Sequence, residues 1–128
     1  MRNLATTKIN LIKIIPALLW SGIIFFLCFL PGNDLPKKDW LDKIYFDKGV
    51  HAALYFILFF LTIRIPPKPA LTSILLASSL CIAQGILIEY VQGSSLIQNR
   101  SFDVWDIAAN IFGVFWAIIY FCPKHKFK

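Results

Sequence analysis

Residues 70–91 read ALTSILLASSLCIAQGILIEYV, a run without a charged side chain until Glu89 near its end. A bilayer core takes about 20 predominantly apolar residues per helix. The stretch meets that length, follows Pro69, and brings its one carboxylate to a single end. It reads as a membrane-spanning helix over about 70–91.

Working outward, the chain repeats this pattern. On the C-terminal side a second apolar block predicts a helix over about 102–121, stopped by Pro123. On the N-terminal side the uncharged run from Gly49 to Ile63 is too short to span. It spans only as a helix of about 44–65 that carries Asp47, Lys48 and His51 within it and ends at Arg64, Pro66 and Pro67. A fourth block gives a helix over about 11–30, which stops at Pro31-Gly32. Lys13 can snorkel to the headgroups, and Pro16 either kinks this helix or marks its true start. Its run from Ile14 to Leu30 exceeds the h-region of a cleaved signal, and no small-residue cleavage site follows, so it is expected to be a retained helix.

Composition agrees. Of 128 residues, 58% are hydrophobic and 16% charged, against about 25% charged in an ordinary soluble domain. So short a chain could not hide four apolar blocks in a water-soluble core. The expected fold is an all-α, four-helix transmembrane bundle forming one domain over residues 1–128. The net charge of +6 does not point to nucleic acid, because the basic residues are scattered over the termini and connections. Cys28, Cys81 and Cys122 have neither metal-ligand nor redox spacing and read as small packing residues.

The charges sort by side. Arg2, Lys8, Lys13, Arg64, Lys68, Lys124, Lys126 and Lys128 fall on one side with no acid. Lys37, Lys38, Lys43, Lys48 and Arg100 fall on the other with all seven acids. The excess of Lys and Arg places the N- and C-termini in the cytoplasm of a multi-pass protein of the cell inner (plasma) membrane.

Polar residues in the spans share helix faces. Asp47 and His51 are four apart, with Tyr55 a turn further. Gly85, Glu89 and Gln92 make a second stripe, and Asp103, Asp106, Asn110 and Gly113 a third, with Arg100-Ser101 just before it. Ionisable groups in spanning helices usually face the bundle interior or a water-filled cavity. Three stripes at one level imply an outward-opening cleft. The expected ligand-binding residues are Asp47, Lys48, His51, Glu89, Gln92, Arg100, Ser101, Asp103, Asp106 and Asn110. Each has a plainer alternative: Asp103 as a helix-start acid, Ser101 as an N-cap, Asp47-Lys48 as a headgroup anchor, Glu89 in a structural salt bridge to Arg100 or Lys48. Gly85 and Gly113 read as close-packing points. Gln84 lies on another face than Glu89.

Asp47-Lys48-x-x-His51, Glu89-x-x-Gln92 and Arg100-Ser101-x-Asp103-x-x-Asp106-x-x-x-Asn110-x-x-Gly113, in this order, resemble the VanZ-like family over nearly the whole chain. Gly49-Val50 precedes His51, and the segment before Arg100 lacks the proline-glycine often found there. The family's namesake is linked to low-level resistance to the glycopeptide teicoplanin, so the resemblance implies a cell-envelope role related to antibiotic resistance.

Two functions fit these residues. The first is binding of a lipid-linked or envelope-related ligand in the cleft. The alternative is a membrane enzyme acting by acid/base or metal-assisted chemistry on an outer-leaflet lipid or cell-envelope precursor. His51, Glu89 and Asp106 are the catalytic candidates: His51 as a base oriented by Asp47, Glu89 with Asp106 as an acid/base pair or with His51 as divalent-metal ligands, and Lys48 and Arg100 as phosphate holders. No metal and no cofactor is assigned. The bilayer is the expected partner, and nucleic acid is not. A structural ion-pair network is a further reading. A transporter fits least, because no polar path crosses the cytoplasmic half.

Overall fold

A computed structural model describes residues 11–31 and 46–121. The described residues contain four helices: α1 (Leu11–Cys28), α2 (Phe46–Ile63), α3 (Leu71–Gln92) and α4 (Val104–Phe121). All four are long and apolar enough to cross a membrane, and no strand occurs among the described residues. Leu18, Leu19, Phe26, Leu76, Leu87, Phe112 and Trp116 are among many large side chains turned outward. Their outer surface suits hydrocarbon rather than water.

The helix limits differ from the sequence expectation for local reasons. Helix α1 continues through Pro16, which therefore does not mark its start, and ends at Cys28 rather than near residue 30. Helix α4 begins at Val104 rather than near residue 102, because Asp103 caps it. Asp103 Oδ1 accepts the Trp105 N–H at 2.8 Å and its carbonyl accepts the Asp106 N–H at 3.1 Å. Ser101 is thus not the N-cap. The expected start of α2 near residue 44, the loop acids Asp34, Asp39 and Asp42, and the basic residues Arg2, Lys8, Lys124, Lys126 and Lys128 lie outside the described residues.

Helices α2 and α4 make the most extensive contact, α1 packs on α2 and α3, and α3 packs on both α2 and α4. The α2–α4 approach is set by small residues. A Cβ built on Gly113 would lie 2.1 Å from the Ala52 carbonyl oxygen, so these backbones meet where only glycine fits. Ala117, one turn further, is fully buried. The core below joins Ile24, Leu58, Phe59, Ile88 and Val114. Two polar contacts tie α1 to its neighbours: Trp20 Nε1 donates to the Leu54 carbonyl at 2.9 Å, and Ser21 Oγ donates to Gln84 Oε1 at 2.7 Å. At the end away from the polar cluster, Phe60 stacks on Phe121 with centroids 4.6 Å apart, and the Arg64 guanidinium lies 4.8 Å above Phe60.

Candidate functional site: a polar cluster at one end of the bundle

The start of α2, the end of α3 and the start of α4 come together at one end of the bundle. Lys48 bridges α2 and α4. Its ammonium lies 2.5 Å from Asp103 Oδ2 and 2.9 Å from Asp47 Oδ2, and it also pairs with Asp106 Oδ1. Three carboxylates therefore surround the three donors of one amine. Lys48 is neutralised within the protein by these three partners. The Lys48 ammonium also holds the Asp103 carboxyl below the usual carboxylate range.

Deeper in, His51 Nδ1 lies 3.1 Å from Asn110 Oδ1. An amide oxygen only accepts, so Nδ1 carries the proton and Nε2 is turned the other way. Nε2 is 3.6 Å from Asp106 Oδ2. Glu89, with 0% exposure, uses Oε2 to accept the Asp103 backbone N–H at 3.0 Å, while Oε1 is buried without a hydrogen-bond partner. His51, Glu89 and Asp106 each bring a potential ligand atom within 4.8 Å of the other two. The three catalytic candidates thus converge from three helices.

Gln92 and Arg100 go elsewhere. Gln92 Nε2 donates to the Cys28 carbonyl at 2.6 Å, and Arg100 Nε donates to the Leu30 carbonyl at 3.2 Å. They satisfy carbonyls at the end of α1, which a helix leaves unpaired. Asn99, in the left-handed region at φ 55°, turns the chain just ahead of Arg100. Ser101 is exposed. Tyr55 is buried on the same face as His51, with its hydroxyl unpartnered and 3.4 Å from where a Gly85 Cβ would stand. Asn110 Nδ2 would be 2.8 Å from that Cβ, so Gly85 makes room for Asn110.

Beside the ion pairs, a groove of about 920 Å³ runs between α2 and α4. It is lined by the small residues Gly49, Ala52, Ala108 and Ala109, by the rings of Trp105 and Phe112, and by the charged Asp47, Lys48 and Asp103. The alanines and Gly49 carried no distinguishing sequence signal. Their shared small size on two facing helices could have marked the groove.

Comparisons with protein-family models, with curated proteins and with solved structures found no match to this chain.

Proposed function

We propose that this chain is a VanZ-like integral membrane protein that binds a lipid-linked, envelope-related ligand at the outer face of the inner (plasma) membrane, with both termini cytoplasmic. The groove between α2 and α4 carries the reading. Its lining combines small residues and aromatic rings with charged side chains, the mixed polarity of an amphiphile site. The acyl chain would lie against Ala52, Ala108 and Phe112, with the headgroup at Asp47, Lys48 and Asp103. Asp47, with 61% of its side chain exposed, offers acceptor oxygens at the rim. With Lys48 already neutralised, this rim favours a headgroup rich in hydroxyl or amine donors. The sidedness rests on the Lys and Arg asymmetry, and the link to glycopeptide resistance rests on the resemblance.

Substitution of Gly49 tests the reading. A Cβ at Gly49 meets nothing within 4 Å, so Gly49→Leu fills the groove without forcing the helices apart. Native mass spectrometry of the detergent-purified protein is expected to show a retained lipid species that Gly49→Leu and Ala108→Leu lose at unchanged melting temperature. An identical lipid complement in all three proteins would sink the proposal. Labelling of Asp39→Cys by an impermeant thiol reagent is expected from the outer side, and labelling only after the membrane is breached would reverse the orientation.

The convergence of His51, Glu89 and Asp106 favours a second reading, an enzyme using acid/base chemistry on the same class of ligand. It separates from the first by turnover of the retained lipid.

A further inference from the structure

Three side chains in the cluster share one arrangement: one polar atom is held by a neighbouring residue, and the other faces the cluster. His51 gives its Nδ1–H to Asn110 Oδ1, leaving Nε2. Asp106 gives Oδ1 to the Lys48 ammonium, leaving Oδ2, which is 3.6 Å from that Nε2. Glu89 gives Oε2 to the Asp103 N–H, leaving Oε1 buried with no partner. An unpartnered carboxylate oxygen in a fully buried side chain is costly unless a further group completes it.

We propose that His51, Glu89 and Asp106 form a binding site for a divalent transition-metal ion, with His51 Nε2, Glu89 Oε1 and Asp106 Oδ2 as ligands. One potential ligand atom of each residue lies within 4.8 Å of the other two. Two ligands bonded at about 2.1 Å to a tetrahedral ion stand about 3.4 Å apart, close to the 3.6 Å between Nε2 and Oδ2. The supporting contacts match those of known metal sites, where a ligating histidine donates its other N–H to an oxygen and ligating carboxylates are themselves hydrogen-bonded. Charge points the same way. Lys48 supplies one positive charge against the carboxylates of Asp47, Asp103 and Asp106, and a divalent cation offsets the remainder. One imidazole and two carboxylates suit Zn²⁺ or Mn²⁺ better than a soft ion. Three protein ligands leave a position for water or for a ligand oxygen.

The inference does not need the lipid reading, because none of these three residues lines the groove. The test uses full-length protein in detergent, stripped with EDTA and titrated with Zn²⁺, and with Co²⁺ as a spectroscopic probe. Wild type is expected to bind one equivalent, to show the visible bands of cobalt in a protein site, and to rise in melting temperature reversibly. Glu89→Gln keeps an acceptor for the Asp103 N–H but lacks the charge, and is expected to lose binding while remaining folded. Asn110→Ala, which removes only the support of His51, is expected to weaken binding by about 10–100-fold. Ser21→Ala, which removes only the contact of α1 with Gln84, is expected to bind as wild type does. Wild type that takes up no stoichiometric Zn²⁺ or Co²⁺, or Glu89→Gln that binds equally well, overturns the proposal. Gly49→Leu keeps the two ideas apart: loss of lipid with metal binding intact supports both, and metal binding with no lipid in any variant removes only the lipid reading.

Discussion

Glu89, at the end of α3, accepts the backbone N–H of Asp103, the residue that caps α4, at 3.0 Å. In an ordinary capping box the third residue of the helix itself reaches back to the cap's N–H. Here that third residue is Asp106, and it is turned instead to Lys48 and His51. A carboxylate from a neighbouring helix completes the cap and releases Asp106 for the cluster.

Glu89 therefore has a folding role that its charge does not define. Glu89→Gln retains an acceptor oxygen and is expected to stay within about 1 kcal/mol of wild type, whereas Glu89→Ala orphans a backbone donor and is expected to cost about 1–3 kcal/mol. Unfolding in detergent by denaturant or heat gives the order of the two variants. Equal stability of both would show that the α4 cap does not depend on Glu89.

Gly113 is expected to be the most size-sensitive position in the bundle. A methyl group there would stand 2.1 Å from the Ala52 carbonyl oxygen, a backbone atom that moves only if α2 moves. Gly113→Ala is expected to cost about 3 kcal/mol, the upper end of overpacking penalties. Gly22→Ala, where a Cβ meets nothing within 4 Å, is expected to be neutral or stabilising by up to about 1 kcal/mol. Melting temperatures of the two variants check the contrast.

Lys48 and Asp47 are expected to differ although they touch. Lys48→Met leaves Asp103 and Asp106 without their shared cation. It is expected to cost about 2–3 kcal/mol, below the roughly 3–5 kcal/mol of a fully buried pair because the ammonium is partly exposed. Asp47→Asn alters a largely exposed partner and is expected to change stability by less than about 1 kcal/mol. A double-mutant cycle between Lys48 and Asp103 measures the coupling directly.

Acid is expected to weaken the α2–α4 bridge. The Lys48 ammonium lowers the pKa of Asp103 in the folded protein, so this contribution is fully present above the ordinary aspartate pKa of about 3.9. It is lost as pH falls below that value through the folded one. The carboxylate is about a third exposed, so the effect is small and reduced by salt. Stability measured from pH 6 to pH 3 is expected to fall more steeply for wild type than for Asp103→Asn, and parallel profiles would remove Asp103 from the acid response.

The spans were legible because apolar length and proline punctuation are local properties, as in the run ending at Glu89. So was the sharing of faces by Asp47 and His51, or by Asp106 and Asn110, which follows from helical spacing alone. The destination of each side chain was not. Gln92 follows Glu89 by three residues, yet it reaches the Cys28 carbonyl while Glu89 reaches Asp103. Arg100 likewise folds back on Leu30. These outcomes depend on how α3 is rotated against α1 and on the path of the connection to α4, which no spacing encodes. The Ser21–Gln84 contact was missed, although each residue lies about two turns from the C-terminal end of its helix, a depth match that could have paired them.

The Lys48 bridge bears finally on how the protein is made. Helices α1 and α3 are the more hydropathic spans, and α2 and α4 the less. As the chain leaves the ribosome, α2 emerges carrying Lys48 and His51, while Asp103, Asp106 and Asn110 are still to be synthesised. Charged residues raise the cost of partitioning a lone span into lipid. The second span is thus expected to commit fully to the bilayer only when the fourth arrives beside it, and a chain truncated before α4 is expected to leave α2 poorly inserted and open to quality-control proteolysis.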